Sequence, residues 1–180
     1  MRKILAVIGR PGVGKTSLFK EFISGYSWEN QELVKLIPSL YNKELDLHIL
    51  GKYEDGEIFA GTDKLSMAAQ PAAIDFVDTI NSNIIFEGDR LTSSKFFDHL
   101  LSLSNTEFQI FVIEADESLL IERYASRGSA QSEVFLKGRN TKISNIRTNM
   151  EFMFITETFT NNTLEDQKGI LSDINSFFDI

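Results

Sequence analysis

The sequence predicts an α/β fold in which a parallel sheet is covered by helices on both faces, and three observations carry that prediction. Short apolar runs of strand character alternate with helical patterns along the chain. A glycine-rich stretch, Gly9 to Thr16, follows the first such run and opens a helical one. Finally, 180 residues of which 42% are apolar can close a core without staples, so residues 1–180 are taken as a single domain.

Four runs dense in apolar, β-branched or aromatic residues read as buried strands: Ile4 to Ile8, Ile84 to Phe86, Ile110 to Ile113, and Phe152 to Ile155. A fifth, ELDLHIL, alternates Leu45, Leu47 and Ile49 with Asp46 and His48, which predicts a strand with one wetter face. Helical spacing links Ala73, Val77 and Ile80, then Phe96, Phe97, Leu100 and Leu101, then Leu119, Leu120 and Tyr124. A last helix places Leu164, Ile170, Leu171, Ile174, Phe177 and Phe178 on one face behind a Thr163/Asp166 capping box. Met67 and Met150 to Met153 read as packing residues, Trp28 as a loop anchor or core-edge residue, and His48 and His99 as ordinary ones.

Composition excludes several functions. With no cysteine and two histidines far apart, a disulfide framework and a structural zinc site are ruled out. No apolar run approaches the roughly 20 residues that span a bilayer, so no membrane partner is expected and the expected location is the cytosol. A net charge of −8 argues against a broad duplex-binding face. Yet six of the 18 cations (Arg123, Arg127, Lys137, Arg139, Lys142 and Arg147) fall in one stretch whose sole acid is Glu133.

Gly9, Arg10, Pro11, Gly12, Val13, Gly14, Lys15 and Thr16 fit GxxxxGK[ST] without a mismatch. Glycines let the backbone curl so that successive N–H groups face phosphates, and the following helix adds its positive end. Lys15 is expected to reach the β- and γ-phosphates of ATP and Thr16 to bind Mg²⁺, with Ser17 continuing the cradle.

The rest of the chain favours phosphoryl transfer over hydrolysis. The nearest string to a guanine-reading NKxD motif, Asn140 to Ile143, lacks the aspartate. A kinase needs a carboxylate near magnesium, an anchor for the acceptor and cations over the transferring group. After the strand Ile84 to Phe86 come Glu87, Gly88, Asp89 and Arg90, at the end of a parallel strand where ligands bind. Asp89 or Glu87 is a candidate for the metal, Asp63 joins them as a candidate base, and Arg90 for an anionic acceptor. Residues of about 125–142 form a candidate cationic lid, bringing Arg127 to ATP and Lys137 or Arg139 over the acceptor. In GTDKLSMAAQP, Asp63, Lys64, Ser66 and Gln70 are polar groups suited to reading a base or sugar.

These blocks resemble the thymidylate kinase family of P-loop phosphotransferases. GTDKLSMAAQP, FEGDRL and RGSAQSEVFLKGRNTKISNI look more like a phage-associated branch, the 5-hydroxymethyldeoxyuridine DNA kinases. The resemblance implies a three-layer fold on a five-stranded parallel sheet, ATP as donor, Mg²⁺, a host-cytoplasmic location, and a hydroxymethylated pyrimidine in DNA as acceptor. For an extruded base, Tyr53, Phe59, Arg127 and Lys142 are candidates for an aromatic and cationic rim. Gly51, Lys52, Tyr53 stands where ordinary thymidylate kinases carry an REPGG-type block, which weighs against a free nucleotide. Two alternatives stay open: a deoxynucleoside monophosphate kinase, and an NTP-gated binding protein with slow hydrolysis.

Overall fold

The structure, a computed structural model, describes residues 1–54, 60–126 and 132–180. Arg127 and Phe59 lie outside the described residues. In chain order the strands are β1 (Arg2–Gly9), β2 (Glu29–Val34), β3 (Ile37–Asn42), β4 (Leu47–Leu50), β5 (Asn83–Glu87), β6 (Thr106–Glu114) and β7 (Thr156–Thr160). The helices are α1 (Lys15–Ser24), α2 (Ala69–Thr79), α3 (Ser94–Ser102), α4 (Glu117–Ser126), α5 (Glu133–Thr148) and α6 (Leu164–Phe178).

The sheet is seven-stranded and mixed, in the order β2-β3-β4-β5-β1-β6-β7, and not five-stranded and parallel as the sequence predicts. Its parallel part is β4-β5-β1-β6-β7, and β2 and β3 add an antiparallel hairpin at one side. Alternation along β1 shows how the layers close. Ile4, Ala6 and Ile8 face a core built with Phe76 and Val77 of α2, Phe96, Phe97 and Leu100 of α3, and Ile146 of α5. Leu5 and Val7 face the other core, with Leu18, Phe19 and Phe22 of α1, Leu120 of α4, and Ile170, Ile174, Phe177 and Phe178 of α6.

Two local readings are corrected. The run Phe152 to Ile155 is not a strand: the backbone N–H groups of Phe152 and Met153 both donate to the Asn149 carbonyl (3.1 and 3.0 Å), winding a turn into the 3-10 segment Met153–Ile155. Phe152 is fully buried, whereas Phe154 is 86% exposed and Met150 and Met153 also face solvent, so these two methionines are not packing residues. In ELDLHIL the strand is confined to Leu47–Leu50 and Asp46 stays exposed before it, but the position expected to be wet within the strand is dry: His48 is 2% exposed, shares a hydrogen bond with Ser39 Oγ (3.2 Å) and meets the edge of Phe76. Burial lowers its pKa to about 4.

The Thr163/Asp166 capping box forms at the start of α6. Among the described residues no helix is long and apolar enough to cross a membrane.

Candidate active site

The ends of β1 and β5 lie side by side in the sheet, with Val7 opposite Glu87, and the segments that leave them build the site. From β1 the chain enters the loop 9–14, whose carbonyls from Gly9 to Val13 are held by side chains. Those of Gly9 and Arg10 accept from Lys15 Nζ (2.9 and 3.1 Å). The Pro11 carbonyl accepts from the Tyr124 hydroxyl (2.6 Å), that of Gly12 from Arg123 (2.9 Å), and that of Val13 from Asn161 Nδ2 (2.8 Å). Across planar trans peptides the amides of Gly12, Val13 and Gly14 point opposite to those last three carbonyls.

Gly14 sits at φ 96°, and a Cβ there would lie 2.5 Å from Asn161 Nδ2. The loop therefore needs glycine at that position on both conformational and steric grounds. Lys15, Thr16 and Ser17 are the first three residues of α1, and the first closed helical bond is Leu18 N–H to the Gly14 carbonyl (2.9 Å). Their N–H groups are thus the electropositive end of the helix. Arg10 is turned aside into an ion pair with Glu117 (2.6 Å).

From β5 the chain presents Glu87, which is 1% exposed and accepts from Thr16 Oγ1 at 3.2 Å. Burial raises its pKa to about 7, opposed by Lys15 and Thr16 and assisted by Asp63. Thr62 Oγ1 donates to the Glu87 carbonyl (2.8 Å) and Thr92 Oγ1 to that of Gly88 (2.6 Å), fixing the strand-end turn from both sides. Gly61 packs so closely that a Cβ on it would stand 2.6 Å from Glu87 Oε1.

Two residues further on, Asp89 meets a different set of partners. Its N–H donates to Asp63 Oδ1 (2.7 Å), and its carboxylate pairs with Arg139 and with Lys142 (2.9 Å) of α5. Burial lowers the pKa of both cations, and for Lys142 the Arg139 charge adds to it. Arg90 lies against Met67 Sδ, and its buried Nε has no hydrogen-bond partner among the described residues. Met67 is 82% exposed and so is a rim residue, not a packing one.

The structure thus brings together Lys15, Thr16, Glu87, Asp63, Asp89, Arg90 and Arg139. Lys142 joins this cluster through Asp89, whereas Gln70 and Lys137 are placed elsewhere. Gln70 Nε2 donates to Ser93 Oγ (2.7 Å) and ties α2 to α3. Lys137 is exposed and lies two residues from Arg139, off the face of α5 that meets Asp89. Lys64 ends the short turn Thr62–Lys64. Tyr53 is no open stacking platform: its ring lies flat on Phe19 (centroids 5.9 Å apart, planes within 4°), and its hydroxyl is buried with no hydrogen-bond partner among the described residues. Burial, with Glu87 and Asp63 nearby, raises its pKa well above the ordinary value, so the phenol keeps its proton.

Sequence reasoning misses the residues that brace the loop from behind. Arg123 stands in the cationic stretch without any sign of its target, and Asn161, 3% exposed, and Tyr124 carry no motif. They are recognisable from the carbonyls they hold.

The arrangement fits a triphosphate with Mg²⁺. The amides, the helix start and Lys15 supply donors for phosphate oxygens. Thr16 and Glu87 supply the adjoining hard oxygens that Mg²⁺ prefers. Among the described residues no group of three or more His, Cys, Asp or Glu is placed to hold a metal.

No protein-family model matches the sequence, and no curated protein is significantly similar to it. In fold the chain is similar to the crystal structure of a gluconokinase from Sinorhizobium meliloti 1021, with 14% identity over 99% of each chain and a TM-score of 0.50. At that identity the likeness speaks to the fold alone, an α/β arrangement with a mostly parallel sheet, and not to the thymidylate kinase branch.

Proposed function

We propose that residues 1–180 act as one ATP-dependent, Mg²⁺-assisted kinase unit that transfers the γ-phosphoryl group to a nucleotide-type acceptor, preferentially the hydroxymethyl group of 5-hydroxymethyluracil in DNA. The observation that carries the reading is the two-sidedness of the turn 87–90: Glu87 meets Thr16 of the phosphate loop, while Asp89 meets Arg139 and Lys142 of α5. A nucleotide switch needs the first side alone. A kinase needs a second charged pocket within reach of the first.

In this reading Lys15 and the loop amides hold the donor phosphates, Thr16 and Glu87 hold Mg²⁺, and Arg90, Arg139 and Lys142 draw in the acceptor, with α5 acting in the lid. Held by Thr16 and Glu87, Mg²⁺ would offset the charge of the donor phosphates. The acceptor hydroxyl oxygen bonds to the γ-phosphorus, the bond from that phosphorus to the β–γ bridging oxygen breaks, ADP leaves, and the hydroxyl proton passes to Asp63. A hydroxyl benefits from such a base, whereas an ionised phosphate has no need of one. The modified pyrimidine is named from the resemblance of GTDKLSMAAQP, FEGDRL and RGSAQSEVFLKGRNTKISNI.

A free deoxynucleoside monophosphate is the second reading, favoured by the three cations around Asp89. Incubation with γ-labelled ATP and, separately, hydroxymethyluracil DNA, unmodified DNA and mononucleotides distinguishes the two. Label on the modified polymer is expected; label on a mononucleotide establishes the second reading, and label released solely as inorganic phosphate defeats both.

A further inference from the structure

Five side chains form a continuous line across the mouth of the site. Met67, from the segment before α2, lies against Arg90; Arg90 adjoins Asp89 in the chain; Asp89 pairs with Arg139; and the Arg139 guanidinium lies over the Phe135 ring at 4.6 Å. Phe135, Arg139 and Lys142 recur at intervals of four and three residues, so they share the face of α5 that meets Asp89. The two ends of the line are apolar and open to solvent, Met67 at 82% and Phe135 at 40% exposure. Both flank cations.

The charges make the occupant specific. Arg139 and Lys142 pair with Asp89, Arg90 adjoins it in the chain, and Lys137 is exposed on another face of α5, a local run of cations in a chain whose net charge is −8. An anionic lipid headgroup or an acidic side chain can pair with the guanidiniums but brings no flat base to lay on Phe135. A nucleic-acid strand uses both: every base has a π-face to lay on an aromatic or thioether side chain, and its flanking phosphates take the cations. Lys137, turned off the Asp89 face, is placed for a phosphate outside the cleft, which a mononucleotide does not possess.

We propose that Phe135 and Met67 form a base-stacking rim which holds a single-stranded or locally opened DNA segment, with one nucleotide's phosphate on Arg90 and Arg139 and a neighbouring one on Lys137. This rests on the reading of the site as a kinase acceptor cleft and names the polymer as its ligand.

The test is binding of a fluorescein-labelled thymidine-rich single-stranded oligonucleotide, followed by anisotropy, with calorimetry of MgATP alongside. Phe135→Ala should weaken oligonucleotide binding at least about tenfold with the MgATP affinity held, and Met67→Ala should weaken it by a smaller factor. Phe135→Trp should keep binding and show quenched indole emission on saturation. Lys137→Ala should reduce the dependence of log affinity on log salt by about one contact. Circular dichroism confirms the fold of each variant. Unchanged oligonucleotide affinity in Phe135→Ala, indole emission unmoved by saturating oligonucleotide, no oligonucleotide binding by the wild-type chain, or equal affinity for thymidine monophosphate each overturns the proposal. Phe135-dependent binding without any label transfer would sustain the rim while defeating the kinase reading.

Discussion

The Thr16 hydroxyl donates to the buried carboxylate of Glu87 at 3.2 Å, joining the first turn of α1 to the end of β5. Burial makes this carboxylate hard to ionise, while the Thr16 bond and the Lys15 charge favour its ionised form. The strain between the two is electrostatic, and it has consequences for stability as well as chemistry.

Glu87 holds its proton more tightly in the folded chain, with a pKa raised from 4.5 to about 7. Its contribution is therefore full below pH 4.5 and is lost as pH rises through about 7. His48, lowered from 6.5 to about 4, acts in the opposite sense: its contribution is full above pH 6.5 and is lost as pH falls toward 4. The two slopes, each at most roughly 1.4 kcal/mol per pH unit, oppose each other in the wild-type chain. Urea unfolding across this range should show Glu87→Gln gaining stability with rising pH and His48→Gln losing it. Profiles parallel to wild type in both variants would contradict these assignments.

Gly14→Ala should cost about 1–3 kcal/mol from the left-handed backbone, with a further cost from the clash with Asn161. Asn161→Ala makes room, so the double variant should recover the clash component and no more. Thermal unfolding of the four-member cycle measures this coupling; strict additivity would show that the two residues are not in contact.

Tyr53→Phe removes a buried hydroxyl that has no partner among the described residues. Its stability should match or exceed wild type, because a phenyl ring fills the same stack on Phe19 without an unpaired donor. A loss of more than about 1 kcal/mol in chemical denaturation would reveal a hydrogen bond the hydroxyl does make.

Asp89→Asn should leave MgATP affinity near wild type and lower kcat/KM for the acceptor at least about tenfold, since it releases Arg139 and Lys142 from the strand-end turn. Steady-state kinetics with each substrate varied separates the outcomes. A selective loss of MgATP affinity would move Asp89 to the donor side.

The loop 9–14 between β1 and α1 and the turn 87–90 after β5 were legible in the sequence because each is set by near-contiguous residues. The hairpin β2–β3 was not: β2, ENQELV, is a mostly exposed edge strand, so no apolar alternation marks it. The run at Phe152 misled for the reverse reason, since one buried phenylalanine beside exposed neighbours imitates a strand until Asn149 winds the turn. Tyr53 looked like a platform for a base and is instead stacked on Phe19 of α1, a partner far from it in the chain. Likewise Asn161 reaches Val13 across 148 residues, beyond any local pattern.

Calorimetric titration of MgATP into the wild-type chain and into Lys15→Met tests the central claim most directly. One-to-one binding by the wild type, weakened at least about tenfold in the variant, is the expected result. No uptake by the wild type, or equal affinity in both, would contradict a nucleotide held by the loop from Gly9 to Thr16.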